Sequence, residues 1–105
     1  MRQYRVEITQ EALKDMEEIY NYIAIELLSP ENAMGQYNRI AHEILTLDTF
    51  PERNRIMESE QEYRMGLRRL IVDNFSVFYI IRDDKVIVTN VLYSASDIEA
   101  RLREK

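Results

Sequence analysis

Tyr4, Val6 and Ile8 alternate with Arg5 and Glu7 at the start of the chain. This period of two predicts a short strand with one buried face. Thr9 follows where a helix cap is expected, with Glu11 in the first turn. Leu13, Met16, Tyr20, Ile23 and Leu27 are then spaced three, four, three and four apart. That is one apolar stripe of a helix, widened by Ile19, with Lys14, Asp15, Glu17, Glu18 and Asn21 on the other side. Ser29-Pro30 predicts a stop and a restart, because proline disfavours helix at the residue before it and suits the first helical position. Ala33, Tyr37, Ile40, Ile44 and Leu47 repeat the helical spacing. Two helices joined so closely should pack as an antiparallel hairpin.

The pattern breaks down from Phe50 to Gly66, which reads as a long charged loop, either mobile or functional. Strands are predicted at Leu67–Val72, Phe75–Ile81 and Val86–Tyr93, joined by turns at Asp73-Asn74 and Arg82–Lys85. Such closely spaced strands predict an antiparallel meander. Phe75, Val77, Tyr79 and Ile81 share one face, and Phe78 and Ile80 the other. In the last strand, Val86 and Val88 are expected on one face and Ile87, Val91 and Tyr93 on the other. Both faces are apolar, so both need covering. The helices cover one; the C-terminal segment, self-association or a partner must close the other. Ser96 and Glu99 have capping-box spacing, and Ile98 and Leu102 lie four apart, so a short C-terminal helix capped by Ser96 is expected. The expected fold class is α+β, formed by a single domain over residues 1–105.

Composition narrows the function classes. The chain has 105 residues, 46% hydrophobic and 31% charged, with 14 basic and 19 acidic residues giving a net charge of −5. This balance disfavours a plain cationic nucleic-acid binder, whose affinity comes from neutralising phosphates. There is no cysteine, hence no disulfide, thiolate metal site or cysteine nucleophile. No signal-peptide pattern is visible, and the longest apolar stretch, Phe75 to Ile81, is far short of the roughly 20 residues that span a bilayer. A cytoplasmic location without membrane association is expected.

The order of elements, together with Phe50-Pro51-Glu52-Arg53, Gly66-Leu67-Arg68-Arg69-Leu70, Asn74-Phe75-Ser76-Val77-Phe78-Tyr79 and Val91-Leu92-Tyr93-Ser94, resembles the RelE/ParE superfamily. These are toxins of type II toxin–antitoxin, or plasmid stabilisation, systems. The resemblance runs from about Tyr4 to Asp97, and the ParE branch is the more similar. It implies a fold of N-terminal strand, two-helix hairpin, three-stranded meander and short C-terminal helix. It implies a cognate antitoxin as partner, no cofactor or metal, and no direct DNA binding by the toxin alone. ParE-like members inhibit DNA gyrase. RelE-like members cleave mRNA on the ribosome, clamping phosphates with cations. A degenerate module that only binds antitoxin is a third possibility.

Carried over by position, a RelE-type arginine falls on Ser76 and another on Ser96, while a lysine falls on Arg69. The terminal His-Tyr pair of one RelE-like branch falls on Ser94 and Ala95, and the paired arginines of ParE on Ala95 and Ser96. The missing cations disfavour a nuclease. If there is catalysis, the candidates are Arg69, Arg68 and Tyr93. The candidate target-binding residues are Arg64, Arg68, Arg69, Tyr93, Ser94, Ser96 and Asp97. Arg53 and Arg55 complete the basic concentration, which glutamates interrupt, and a solvated surface is the plainer reading of it. His42 lies off the apolar stripe and reads as a surface residue, and Asp83-Asp84 as a solvated turn rather than a metal site.

Overall fold

The computed structural model describes residues 3–103; the outermost ends of the predicted 1–105 domain, residues 1–2 and 104–105, lie outside the described residues. Strand β1 (Arg5–Ile8) leads into helix α1 (Gln10–Asn21), and α2 (Pro30–Leu45) returns alongside it. A short α3 (Glu60–Met65) precedes the meander β2 (Arg68–Val72), β3 (Phe75–Arg82) and β4 (Lys85–Tyr93), and α4 (Ile98–Arg103) ends the described chain. The sheet order is β1-β4-β3-β2. The meander is antiparallel, whereas β1 lies parallel to β4, from Arg5 beside Lys85 to Ile8 beside Val88. The fold class is therefore the expected α+β.

Thr9 follows β1 and caps α1, accepting from the Ala12 N–H while its own hydroxyl donates to the Val88 carbonyl. The buried stripe of α1 runs through Ala12 and Met16, with Ile19 packed beside them. It is offset from the predicted stripe: Leu13 stands at its flank, 45% exposed. A π-turn over Tyr22–Glu26, closed by Leu27 N–H on the Tyr22 carbonyl at 3.1 Å, then rotates the chain and leaves Leu27 exposed. Leu28 takes a left-handed φ of 54°, and Ser29 N–H reaches back to the Ile23 carbonyl, which terminates the helix. Pro30 opens α2 as predicted, and Ala33, Ile40, Ile44 and Leu47 are fully buried.

The helices cover one sheet face, where Leu70, Val72, Val77, Tyr79, Val86, Val88 and Val91 complete the main core. Val91 was expected on the opposite face. A β-bulge explains the change: Phe78 pairs with Asn90 but Tyr79 with Val88, so Thr89 is an extra residue and the alternation inverts beyond it. Tyr93 follows Val91 to the helix side, packing on Phe75 at 5.8 Å between ring centroids, and Leu92 turns to the other side. There Leu67, Phe78 and Leu92 form a second core that Met57, Ile80, Ile98 and Leu102 cover. Of the three ways to close this face, the chain uses its own C-terminal segment.

Candidate functional site

The segment from 50 to 66 is not one irregular loop. It contains a 3₁₀ turn at Pro51–Arg53, a bridge from Ile56 to Arg68 and helix α3. The signals for α3 were Ser59 and Glu62 at capping spacing and Gly66, whose φ of 72° closes the helix. Two of the predicted basic residues hold this segment. Arg53 donates to the Thr49 carbonyl at 2.9 Å and to Thr46 Oγ1 at 2.8 Å. Arg68 donates to the carbonyls of Asn54 at 2.6 Å and Glu52 at 3.2 Å. From the core, the Tyr79 hydroxyl donates to the Pro51 carbonyl at 2.7 Å and accepts from Asn54 Nδ2 at 3.0 Å. Burial pushes the Tyr79 phenol pKa up, against the smaller opposing pull of the Asn54 hydrogen bond. Arg64 pairs with Glu60 one turn away on the exposed side of α3, and Arg55 pairs with Glu58.

Arg69 is placed differently. Adjacent strand residues point to opposite faces. Arg68 therefore lies on the side of Tyr79, and Arg69 on the side of Phe78. Arg69 Nε donates to Ser76 Oγ at 2.8 Å, and Ser76 Oγ shares a hydrogen bond of 2.7 Å with Ser94 Oγ. The Arg69 guanidinium carbon sits 5.8 Å from the Phe78 ring centroid. Ser76 is fully buried. The structure thus brings together Arg69, Ser76 and Ser94, and it sets Arg64 and Arg68 apart in separate contacts.

Tyr93, 53% exposed, lies across the sheet from Arg69. It borders an open groove of about 740 Å³ between α1 and the end of the sheet, with Tyr22, Ile23, Leu27 and Phe75 among its walls. Asp15 stands in the same groove and accepts from the Val91 N–H at 2.9 Å. Beyond Ile8 no β1 residue pairs with β4, so this side chain takes the place of a strand. Burial raises the Asp15 pKa, and the Val91 hydrogen bond opposes the rise.

Ser96 does not cap the C-terminal helix. Its hydroxyl donates to the Tyr93 carbonyl at 2.6 Å, and Asp97 Oδ1 accepts the Ala100 N–H at 3.3 Å, so Asp97 is the cap. Sequence reasoning also missed Glu62, which is 1% exposed. Its carboxylate accepts from Ser59 Oγ at 2.6 Å and from Arg103 Nη2 and Nε at 3.0 and 3.2 Å, tying α4 to α3. The Arg103 hydrogen bond, followed by that of Ser59, lowers the Glu62 pKa. Its capping distance from Ser59 was the available signal; its bond to Arg103 had none. Among the described residues, no group of three or more His, Cys, Asp or Glu could hold a metal ion.

A family model described as "ParE toxin of type II toxin-antitoxin system, parDE" matches residues 6–98. No curated protein sequence matches the chain. Several solved structures share the fold. A chain from the chromosomal ParDE system of P. aeruginosa is 19% identical, with a TM-score of 0.74 over 87% of this chain and 96% of that one. A chain of the RelBE2 toxin–antitoxin complex of Mycobacterium tuberculosis is 18% identical, with a TM-score of 0.60 over 91% and 97%. An arginine double mutant of E. coli toxin RelE in the free state is 12% identical, with a TM-score of 0.64 over 94% and 92%.

Proposed function

The chain belongs to the ParE toxin family of type II toxin–antitoxin systems, and we propose that it inhibits growth by binding a protein target, DNA gyrase, and is neutralised by a cognate antitoxin. The observation that carries the binding reading is the dispersal of Arg68, Arg69 and Tyr93. Metal-free RNA cleavage needs a phosphate clamp and a proton shuttle at one bond. Here Arg68 is engaged by two backbone carbonyls, and Arg69 and Tyr93 lie on opposite sheet faces. The absence of cations at Ser76 and Ser96 points the same way, as does the net charge of −5.

An antitoxin partner is supported by the relatives, which include the ParDE system of P. aeruginosa and the RelBE2 complex of M. tuberculosis. The chain also leaves apolar surface open where α1 ends: Tyr22, Ile25, Leu27 and Leu28 are 57%, 64%, 56% and 83% exposed. Such a cluster suits a protein partner. Because α4 already covers the second sheet face, the hairpin end and its groove are the better antitoxin surface. On this reading the toxin works in the cytoplasm, without membrane or direct DNA contact.

Short induction in bacteria lacking the antitoxin gene tests the proposal. Broken chromosomes with DNA-damage signalling are expected. Immediate translation arrest with codon-phased mRNA ends would establish a nuclease instead, and normal growth a module that only binds antitoxin.

A further inference from the structure

We propose that the terminal amino groups of Arg69, preset by Ser76 and Ser94, receive a carboxylate carried by a protein partner. The hydrogen-bond pattern singles this residue out. Five arginines lie between residues 53 and 69. Four of them have acceptors on a terminal amino group: backbone carbonyls for Arg53 and Arg68, Glu58 for Arg55 and Glu60 for Arg64. Arg69 bonds through Nε alone, to Ser76, and its two Nη groups have no acceptor among the described residues. A half-buried guanidinium with unused donors in a chain of net charge −5 is a site waiting for an anion.

The surroundings define that anion. With Nε occupied, the remaining donors are the two end-on Nη groups, which match the two oxygens of a carboxylate. Phe78 beneath the guanidinium and the Ser76 bond hold its plane in one orientation, so little freedom is lost on binding. The serine pair can add a donor. Ser76 accepts from Arg69 and either hydroxyl can donate in the Ser76–Ser94 bond; with Ser76 as donor, the partly exposed Ser94 hydroxyl is free to donate outward. Exposed Ile71 lies on the same face of β2, two residues along, and offers the apolar border a protein side chain would use. A nucleic-acid backbone fits poorly, since it needs several cations and the other four arginines here are already engaged. Ser76 is a positioning residue: it acts through Arg69.

The inference rests on the protein-binding reading above, and its test does not depend on gyrase. The full chain, labelled with ¹⁵N-arginine, is titrated with acetate at constant ionic strength, and separately with a short single-stranded RNA, while the Arg side-chain signals are followed by NMR. Acetate should shift the Arg69 Nε–Hε signal saturably and leave those of Arg53 and Arg68 unmoved. Ser76→Ala, or Ser94→Ala should the first variant fold poorly, should weaken acetate binding roughly fivefold, the loss of one ordinary hydrogen bond. Arg69→Lys should abolish it with the backbone amide spectrum intact. The inference is overturned if acetate gives no saturable shift at Arg69, if the serine variants bind as tightly as the parent, or if RNA saturates the Arg69 signal at lower concentration than acetate. A gyrase-insensitive toxin that still binds acetate at Arg69 would refute the target and leave this site standing.

Discussion

Leu28 carries backbone strain that its side chain does nothing to offset. It is 83% exposed and sits at a φ of 54°, a conformation that costs a non-glycine residue about 1–2 kcal/mol. Leu28→Gly should therefore stabilise the protein by about 0.5–1 kcal/mol, after allowing for the greater unfolded-state freedom of glycine, read as a higher melting temperature. Tyr79 works in the opposite sense. Its buried hydroxyl joins the core to the Pro51 carbonyl, so Tyr79→Phe should cost about 1–2 kcal/mol in urea denaturation. Asp15 is a charge that burial disfavours. Its pKa is raised on folding, so it contributes more to stability in acid than at neutral pH, and that contribution falls as pH rises through the raised value. Asp15→Asn retains an oxygen for the Val91 N–H and removes the half-buried charge. It should raise the melting temperature at pH 7, and the gain should vanish near about pH 3, where the carboxyl is protonated in both states.

The elements were legible wherever one period ran uninterrupted. The stripe from Ala33 along α2 to Leu47 in the 3₁₀ turn after it, and the Ser29-Pro30 break, follow from spacing and proline geometry, and the structure has both. The α1 stripe was misplaced because Ala12, a small residue, carries less weight in the pattern than neighbouring Leu13, which ends up at the flank. The bulge at Thr89 left no mark in the sequence, since one extra residue inverts the alternation without changing composition, and Val91 and Tyr93 moved to the other face with it. In the candidate site, the opposed directions of Arg68 and Arg69 were available from strand period alone; the Ser76–Ser94 relay was not, because it joins two strands. The attachment of α4 also depends on distant partners. Only six residues long, it is held by Ile98, Leu102 and the Glu62–Arg103 pair. Glu62 has a lowered pKa, so its support is full above the unfolded value of about 4.3 and is lost as pH falls from there towards the folded value. Amide exchange in α4 should accelerate over that acid range. Glu62→Gln should accelerate it already at pH 7 and cost about 1–2 kcal/mol.

At the scale of the whole molecule, a four-stranded sheet is covered on one face by the helical hairpin and, over Leu67, Phe78 and Leu92, by the tail on the other, and its cations mostly bind the chain's own carbonyls and carboxylates. No helix among the described residues is long and apolar enough to cross a membrane. The net charge of −5 and the scattered positions of Arg68, Arg69 and Tyr93 support the proposed recognition of a protein target. Purified protein added to DNA gyrase, ATP and relaxed plasmid tests that claim most directly. Loss of supercoiling, with linear DNA accumulating after detergent and protease treatment, is the predicted result. Undiminished supercoiling at a large molar excess of the protein, together with cleavage of mRNA on purified ribosomes by the same preparation, would contradict it.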